Sequence, residues 1–175
     1  MNPNSEDLLR HIRDVPDFPK EGIVFKDITP MLKDPKAFQA AIDRLADIYM
    51  GEGIDVVVGA EARGFIIASP LAYKLGAGFV LVRKQGKLPW KTLRETYQLE
   101  YGEDVLEMHE DAIDPGMKVL IADDLLATGG TAVACINLVE AAGGKIHALA
   151  FFIELAFLNG REKLSRFPIH SLIQY

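Results

Sequence analysis

The sequence predicts an α/β fold, a central and mostly parallel sheet flanked by helices. Short apolar, β-rich runs recur at residues 54–59, 79–82, 118–122 and 147–153, as expected of strands covered on both faces. Stretches with apolar residues at helical spacing separate them. Polar and glycine-rich segments follow several of these runs directly, and in open α/β sheets ligands sit beyond the C-terminal strand ends.

In chain order, Ser5 caps an opening helix expected to run through Val15, with Pro16 and Pro19 ending it. Asp34 followed by Pro35 is a cap and first turn, and Phe38, Ile42, Leu45 and Tyr49 then supply a helix with its apolar stripe. Residues 54–59 are a buried strand, 65–75 the helix after it, and 79–82 the second strand. Residues 96–101 and 105–109 flank Gly102, Glu103 and Asp104 and read as a hairpin that turns there. Strands at 118–122 and 147–153 follow, with 131–142 as the helix between them. No repeat or linker interrupts the chain, and its 175 residues fit a single domain, 1–175, with a substantial core.

Composition narrows the function classes. Hydrophobic residues make up 49% and charged residues 25%, values of an ordinary globular protein. A net charge of −6 argues against a nucleic-acid surface. No apolar run approaches the roughly 20 residues that span a bilayer, and the first residues are polar and acidic, unlike a targeting peptide. A cytoplasmic protein without a membrane partner is expected. Cys135, between small apolar neighbours, reads as a buried thiol. His11, His109, His147 and His170 have no metal-ligand spacing, and neither a Walker loop, a Gly-x-Gly-x-x-Gly nor a Gly-x-Ser-x-Gly occurs.

Residues 119–131 carry the most chemistry. An apolar run ends in the adjacent acids Asp123 and Asp124, and Ala127, Thr128, Gly129, Gly130 and Thr131 then open a helical pattern. Free N–H groups at a helix start, with glycines that admit an anion and flanking hydroxyls, form a phosphate cradle. Two carboxylates side by side repel a phosphate but match ribose hydroxyls or a hydrated divalent cation. The combination points to a sugar phosphate.

Three further segments bear polar residues the fold does not require. Glu61, Ala62 and Arg63 lie between Gly59 and Gly64, a tight turn near a ligand or, more plainly, a surface ion pair at a helix start. Arg83, Lys84 and Lys87 form a cationic run with Gly86 and Pro89, either a solvated surface or a loop that neutralises an anionic leaving group. Glu100 alternates with Leu99 and Tyr101, which by itself only exposes it on a strand.

Together these segments, with Phe18-Pro19 and the run from Gly22 to Pro30, resemble the adenine phosphoribosyltransferase family over nearly the whole chain. Residues 123–131 are shared with type I phosphoribosyltransferases at large, and the other segments have the adenine-type form. Residues 160–164 and 171–175 look more like the eukaryotic-type members. The resemblance implies the type I phosphoribosyltransferase fold, with a flexible β-hairpin catalytic loop and a small N-terminal hood, about residues 1–33, contributing to base binding. It further implies a reaction of adenine with phosphoribosyl diphosphate and Mg²⁺ that yields AMP and pyrophosphate, carried out by a homodimer.

The resemblance also assigns roles. Val24 and Phe25 would form one side of an adenine slot, Leu155 the other, and Arg63 would reach a ring nitrogen. Asp123 and Asp124 would hold the ribose hydroxyls, and Ala127 to Thr131 the 5′-phosphate. Glu61, Ala62, Arg63, Arg83, Lys84 and Lys87 would meet the diphosphate, Lys87 from the partner subunit, and the Glu61–Ala62 peptide would be cis. Glu100 would be the general acid/base, Tyr101 would seal the closed loop, and Mg²⁺ would be held mainly by substrate and water near Asp123 and Asp124. A 6-oxopurine transferase would share 123–131 but differ around residues 24–27. A non-catalytic sensor would need an appended domain or basic face and a degraded closing loop.

Overall fold

The computed structural model describes residues 6–99 and 102–175. Helix α1 (Glu6–Leu9) leads to β1 (Arg13–Pro16) and β2 (Val24–Asp27), which pair antiparallel in a small sheet of their own. Helices α2 (Thr29–Lys33) and α3 (Pro35–Tyr49) follow. Then come β3 (Val56–Ala60), α4 (Arg63–Leu75) and β4 (Gly78–Lys84). Next are the antiparallel strands β5 (Thr92–Leu99) and β6 (Gly102–His109). The remainder is β7 (Lys118–Leu126), α5 (Gly130–Ala141), β8 (Lys145–Glu154), a 3₁₀ turn at Ala156–Leu158, α6 (Gly160–Lys163) and β9 (Ile169–Gln174).

Among the described residues the main sheet has seven strands in the order β5-β6-β4-β3-β7-β8-β9. Strands β4, β3, β7, β8 and β9 run parallel, and β6 and β5 add an antiparallel edge. The pleat sends alternate side chains to opposite faces, so a run without polar alternation feeds two cores. Val57, Leu120, Ala122, Ala148, Ala150 and Phe152 pack with Leu45 of α3 and Ile67 and Leu71 of α4. Val56, Val58, Val119, Ile121, Leu149 and Phe151 pack on the other face with Ala134, Ile136 and Leu138 of α5. Each Val, Leu, Ile or Phe among them, fully buried, contributes about 1.5–3 kcal/mol, and each Ala less. Because these strands share one direction, the segments after β3, β4, β7 and β8 emerge along one edge.

The cap at Asp34 forms as expected: its Oδ1 accepts from Lys36 and Ala37 N–H at 2.9 and 3.0 Å, satisfying two free donors at the start of α3. Three local expectations need correction. The opening helix stops at Leu9, and Arg13–Pro16 is a strand whose partner β2 lies beyond the reach of local periodicity. Cross-strand ion pairs hold it, Arg13 to Asp27 at 2.9 Å and Lys26 to Asp14 at 2.7 Å. The Ser5 cap lies outside the described residues. Gly102, Glu103 and Asp104 are not a turn but the first residues of β6, opposite Leu99, Gln98 and Tyr97. Asp104 is drawn into the strand by Lys84, whose ammonium is 2.8 Å away. Finally, β7 continues through Leu126, so Asp123 and Asp124 lie within the strand. Strand β9, parallel to β8, had no periodic signal of its own.

Candidate active site

Where β3 ends, the Glu61–Ala62 peptide is cis, and Arg63 opens α4. Gly64 then approaches β7 so closely that a Cβ there would stand 2.8 Å from Asp123 Oδ1. That approach explains the glycine and brings two separate segments to one place. Arg63 Nε lies 3.0 Å from Asp124 Oδ2, and Asp123 Oδ1 accepts the Asp124 N–H at 2.9 Å. Glu61, Ala62, Arg63, Asp123, Asp124, Leu125, Ala127 and Thr131 line a cavity of about 270 Å³.

The acids are held far from their usual state. Burial, and then the neighbouring Asp124 charge, keep the Asp123 carboxyl well above the usual carboxylate range. Burial also raises Asp124, against the opposing pull of Arg63. The site thus has a deficit of positive charge, which hydroxyl donors or a hydrated cation would relieve. Among the described residues no cluster of His, Cys, Asp or Glu forms a protein cage for a metal. The hard oxygen donors of the adjacent Asp123 and Asp124 suit a Mg²⁺ ion that keeps most of its waters.

The cradle forms at the start of α5. Gly129 has a φ of +81°, a left-handed conformation that glycine adopts without a Cβ penalty, and it turns the chain from β7 into the helix. The first N–H groups of α5 have no intrahelical acceptor, so they and the helix dipole favour an anion there. Asp123, Thr128, Gly129, Gly130 and Thr131 share a second cavity with Tyr97 of β5. Tyr97 hydrogen-bonds the Thr131 side chain, and burial raises its phenol pKa. Tyr97 was not among the expected site residues. Its place in the alternating run at 96–101 was its only sequence signal.

The basic segment is gathered by one carboxylate. Glu61 accepts from Arg83 Nε at 3.0 Å and from Lys84 N–H at 2.7 Å, and its Oε1 lies 3.1 Å from Lys87 Nζ. Burial pushes Glu61 up, but these donors outweigh it and hold the carboxyl below its ordinary value. Arg83 also donates to the Lys87 carbonyl at 3.0 Å, which curls the segment on itself. The Lys84 ammonium goes elsewhere, to Asp104. Buried Glu107, paired with Arg94 at 2.8 Å, accepts the Gly86 N–H at 2.9 Å and anchors the turn.

The expected base-binding residues lie on two elements. Phe25 sits on β2, edge-on to Phe18 at 5.2 Å and beneath the Arg63 guanidinium at 5.2 Å. Val24 beside it is exposed. Leu155 follows β8, its N–H donates to the Leu126 carbonyl at 2.9 Å, and it packs against the α3 and α4 face of the core. Glu100 and Tyr101 lie outside the described residues.

An ion pair between buried Glu154 and partly exposed Arg161 stands behind this edge. Glu154 accepts from Arg161 Nε at 2.8 Å and Nη2 at 2.5 Å, from Ser171 Oγ at 2.7 Å and from Gln174 Nε2 at 3.1 Å. Arg161 foremost, with these other donors, brings the Glu154 carboxyl down to about 2. Gly160, next to Arg161, touches the cradle. A Cβ on it would overlap the Ala127 carbonyl oxygen, and one on Gly129 would stand 2.9 Å from the Gly160 oxygen. Neither Glu154 nor Gly160 was anticipated, because their partners are distant in sequence.

Residues 29–168 match the family model described as phosphoribosyl transferase domain. The chain is 58% identical to adenine phosphoribosyltransferase of Thermotoga neapolitana over 169 residues, 97% of this chain and 99% of that one. The crystal structure of adenine phosphoribosyltransferase from Thermoanaerobacter pseudethanolicus superposes with a TM-score of 0.94 at 54% identity, covering 97% of this chain and 99% of the other. The Saccharomyces cerevisiae enzyme, complexed with adenine and an imino-altritol bisphosphate, gives 0.92 at 41% identity, covering 98% and 99%. Among these three, overall identity is higher to the bacterial proteins, although residues 160–164 and 171–175 looked eukaryotic.

Proposed function

The chain belongs to the adenine phosphoribosyltransferase family, and from that premise we propose that it salvages adenine. The 5-phosphoribosyl group of phosphoribosyl diphosphate passes to adenine N9, giving AMP and pyrophosphate. The observation that carries this reading is the single cavity in which the Arg63 turn, the paired acids and the cradle meet. Each piece has the chemistry that one part of that substrate requires.

In this proposal the N–H groups and hydroxyls of 127–131 hold the 5′-phosphate, and Asp123 and Asp124 accept from the ribose hydroxyls. The main chain of Glu61 and Ala62, with Arg63, Arg83, Lys84 and Lys87, receives the diphosphate. Adenine lies between Phe25 and Leu155, with Val24 main-chain groups at its edge and Arg63 at a ring nitrogen. Apolar walls with a few fixed polar groups accord with a flat heterocycle. A site that accepts from an exocyclic amine rejects a 6-oxopurine, whose oxygen leaves that acceptor unpaired.

Breaking the anomeric C–O bond leaves an oxocarbenium-like ribose and sends the electron pair to pyrophosphate. Arg83 and Lys87 meet the departing charge. As N9 bonds to the anomeric carbon it loses its proton, and Glu100 is the general acid/base proposed at the purine imidazole edge. Tyr101 closes the site so that water does not capture the ribosyl centre. Asp123 and Asp124 would hold Mg²⁺ largely through water, and the bound ion would supply charge neutralisation at the diphosphate. No helix among the described residues is long and apolar enough to cross a membrane. In this reading, which follows the family resemblance, the enzyme works in the cytoplasm as a homodimer.

The test supplies phosphoribosyl diphosphate and Mg²⁺ with adenine, hypoxanthine, guanine or xanthine in separate reactions. AMP from adenine, sharply slowed in Glu100→Ala, is the expected result. Turnover only with an oxopurine would overturn the base assignment. Tight phosphoribosyl diphosphate binding without turnover of any base would favour a sensor.

A further inference from the structure

The small sheet that carries Phe25 is separate from the main sheet, whose strand β8 leads directly into Leu155, so something must fix the distance between Phe25 and Leu155. Tyr175 touches both. Its main-chain N–H donates to the Glu154 carbonyl at 3.0 Å, and its main-chain oxygen accepts from the Ala156 N–H at 3.0 Å. These two bonds bracket Leu155. The Tyr175 ring lies beneath the Lys26 ammonium, 3.9 Å from Nζ to the ring centroid.

Lys26 follows Phe25 on β2, and successive side chains on a strand point to opposite faces. Phe25 faces Arg63 and Phe18, while Lys26 is directed to the Tyr175 ring and, at 2.7 Å, to Asp14 of the paired strand. The Lys26 side chain is 12% exposed. A cation largely withdrawn from water gains more from a ring face and a carboxylate than an exposed one does. Tyr175 itself packs against the α3 and α4 face of the core, as Leu155 does.

We propose that Tyr175 is a positioning residue for the purine: by clasping Lys26 with its ring and bracketing Leu155 with its backbone, it sets the separation of the slot's two walls. This rests on the reading of Phe25 and Leu155 as those walls. Among the described residues the clasp reaches Glu154, Ala156, Lys26 and, through Lys26, Asp14; it meets Glu154 only at the main-chain carbonyl and not at the carboxylate that pairs with Arg161. The effect therefore falls on recognition of the base, not of the sugar phosphate.

The test compares wild type with Tyr175→Ala, Tyr175→Phe, Lys26→Met and the Ala/Met double variant in steady-state assays of AMP formation. Tyr175→Ala raises KM for adenine about tenfold, with KM for phosphoribosyl diphosphate and kcat at saturating adenine within twofold of wild type. Tyr175→Phe, which keeps a ring face for the cation, stays within twofold throughout. Lys26→Met shows a rise similar to that of Tyr175→Ala, and the double variant adds little, because both remove the same ring–cation contact; the Asp14 pair that Lys26→Met also breaks has an exposed acid and contributes little. An unchanged adenine KM in a folded Tyr175→Ala, or equal rises for both substrates, overturns the clasp. If Tyr175→Ala does not fold, Lys26→Met decides the matter by the same two constants. Failure of wild type to use adenine would instead refute the functional reading beneath it.

Discussion

The Lys87 ammonium lies 3.1 Å from Glu61, the carboxylate that also accepts from Arg83 Nε at 3.0 Å. Two cations proposed to receive a diphosphate are thus already engaged by an anion of the protein. Glu61 keeps the segment gathered and competes with the ligand for it. Substrate or product must displace this carboxylate from the cations or share them with it.

Glu61→Gln separates these effects. The amide oxygen still accepts the Lys84 N–H, but the charge that opposes pyrophosphate is gone. Inhibition by pyrophosphate is expected to strengthen about three- to tenfold, on the order of 1 kcal/mol, the scale of one partly exposed charge interaction. Product-inhibition constants for both enzymes check it. A weaker or unchanged constant would leave Glu61 as a scaffold only.

Asp123 gives a prediction with a definite pH dependence. Its carboxyl titrates higher in the folded chain than the ordinary value of 3.8, owing to burial first and Asp124 second. Over that window the folded state holds more protons than the unfolded one, so native stability falls as pH rises. Asp123→Asn removes the buried charge and keeps an oxygen for the Asp124 N–H. The ligand-free variant is expected to be more stable at pH 8 by about 1–2 kcal/mol, a few degrees at roughly 2–4 °C per kcal/mol. The gain shrinks as pH approaches 4. Its KM for phosphoribosyl diphosphate rises at least tenfold. Thermal melts from pH 4 to 8, with kinetics at neutral pH, test both halves, and a destabilised variant at pH 8 would contradict the account.

How much of this was readable before folding depends on where each partner lies. Strands β3 and β7 were legible because burial on both faces leaves continuous apolar runs such as Val56, Val57 and Val58. Strand β4 was legible as the β-rich run from Phe79 to Val82, but it is fully covered on one face only, with Leu81 exposed, against the expectation of two covered faces. Asp34 with Pro35 was legible because a cap is local. The segments at 61–63, 83–87 and 123–131 stood out as polar residues directly after apolar strands, and the fold gathers them along one edge. Strand β1 was misread as helix because its evidence, the ladder to β2 and the pair Lys26–Asp14, is non-local. Tyr97 and Glu154 were missed for the same reason. Glu154 gives no local sign that Arg161, Ser171 and Gln174 will converge on it.

Gly160 offers the sharpest test of how the cradle keeps its shape. A Cβ on Gly160 would overlap the Ala127 carbonyl oxygen and stand 3.0 Å from the Gly129 nitrogen, and both neighbours are backbone. Gly160→Ala must therefore push the loop away, since no flexible side chain can yield. The expected result is a KM for phosphoribosyl diphosphate raised tenfold or more, with KM for adenine within twofold. Glu154 holds Gly160 in place through Arg161, so Glu154→Gln should shift the same constant in the same direction by a smaller factor. It should also cost stability, because the Arg161 guanidinium loses its carboxylate partner. Breaking a fully buried pair costs about 3–5 kcal/mol, and the exposure of Arg161 reduces this to about 1–3 kcal/mol. With Glu154 held near 2 against an ordinary value of 4.5, that contribution is complete above 4.5 and is lost only as pH falls through about 2. The stability difference between wild type and Glu154→Gln should accordingly be constant from pH 5 to 8 and narrow below pH 4. Equal effects of Gly160→Ala on both substrates would mean that the loop's contact with α6 supports the fold as a whole and not the phosphate cradle.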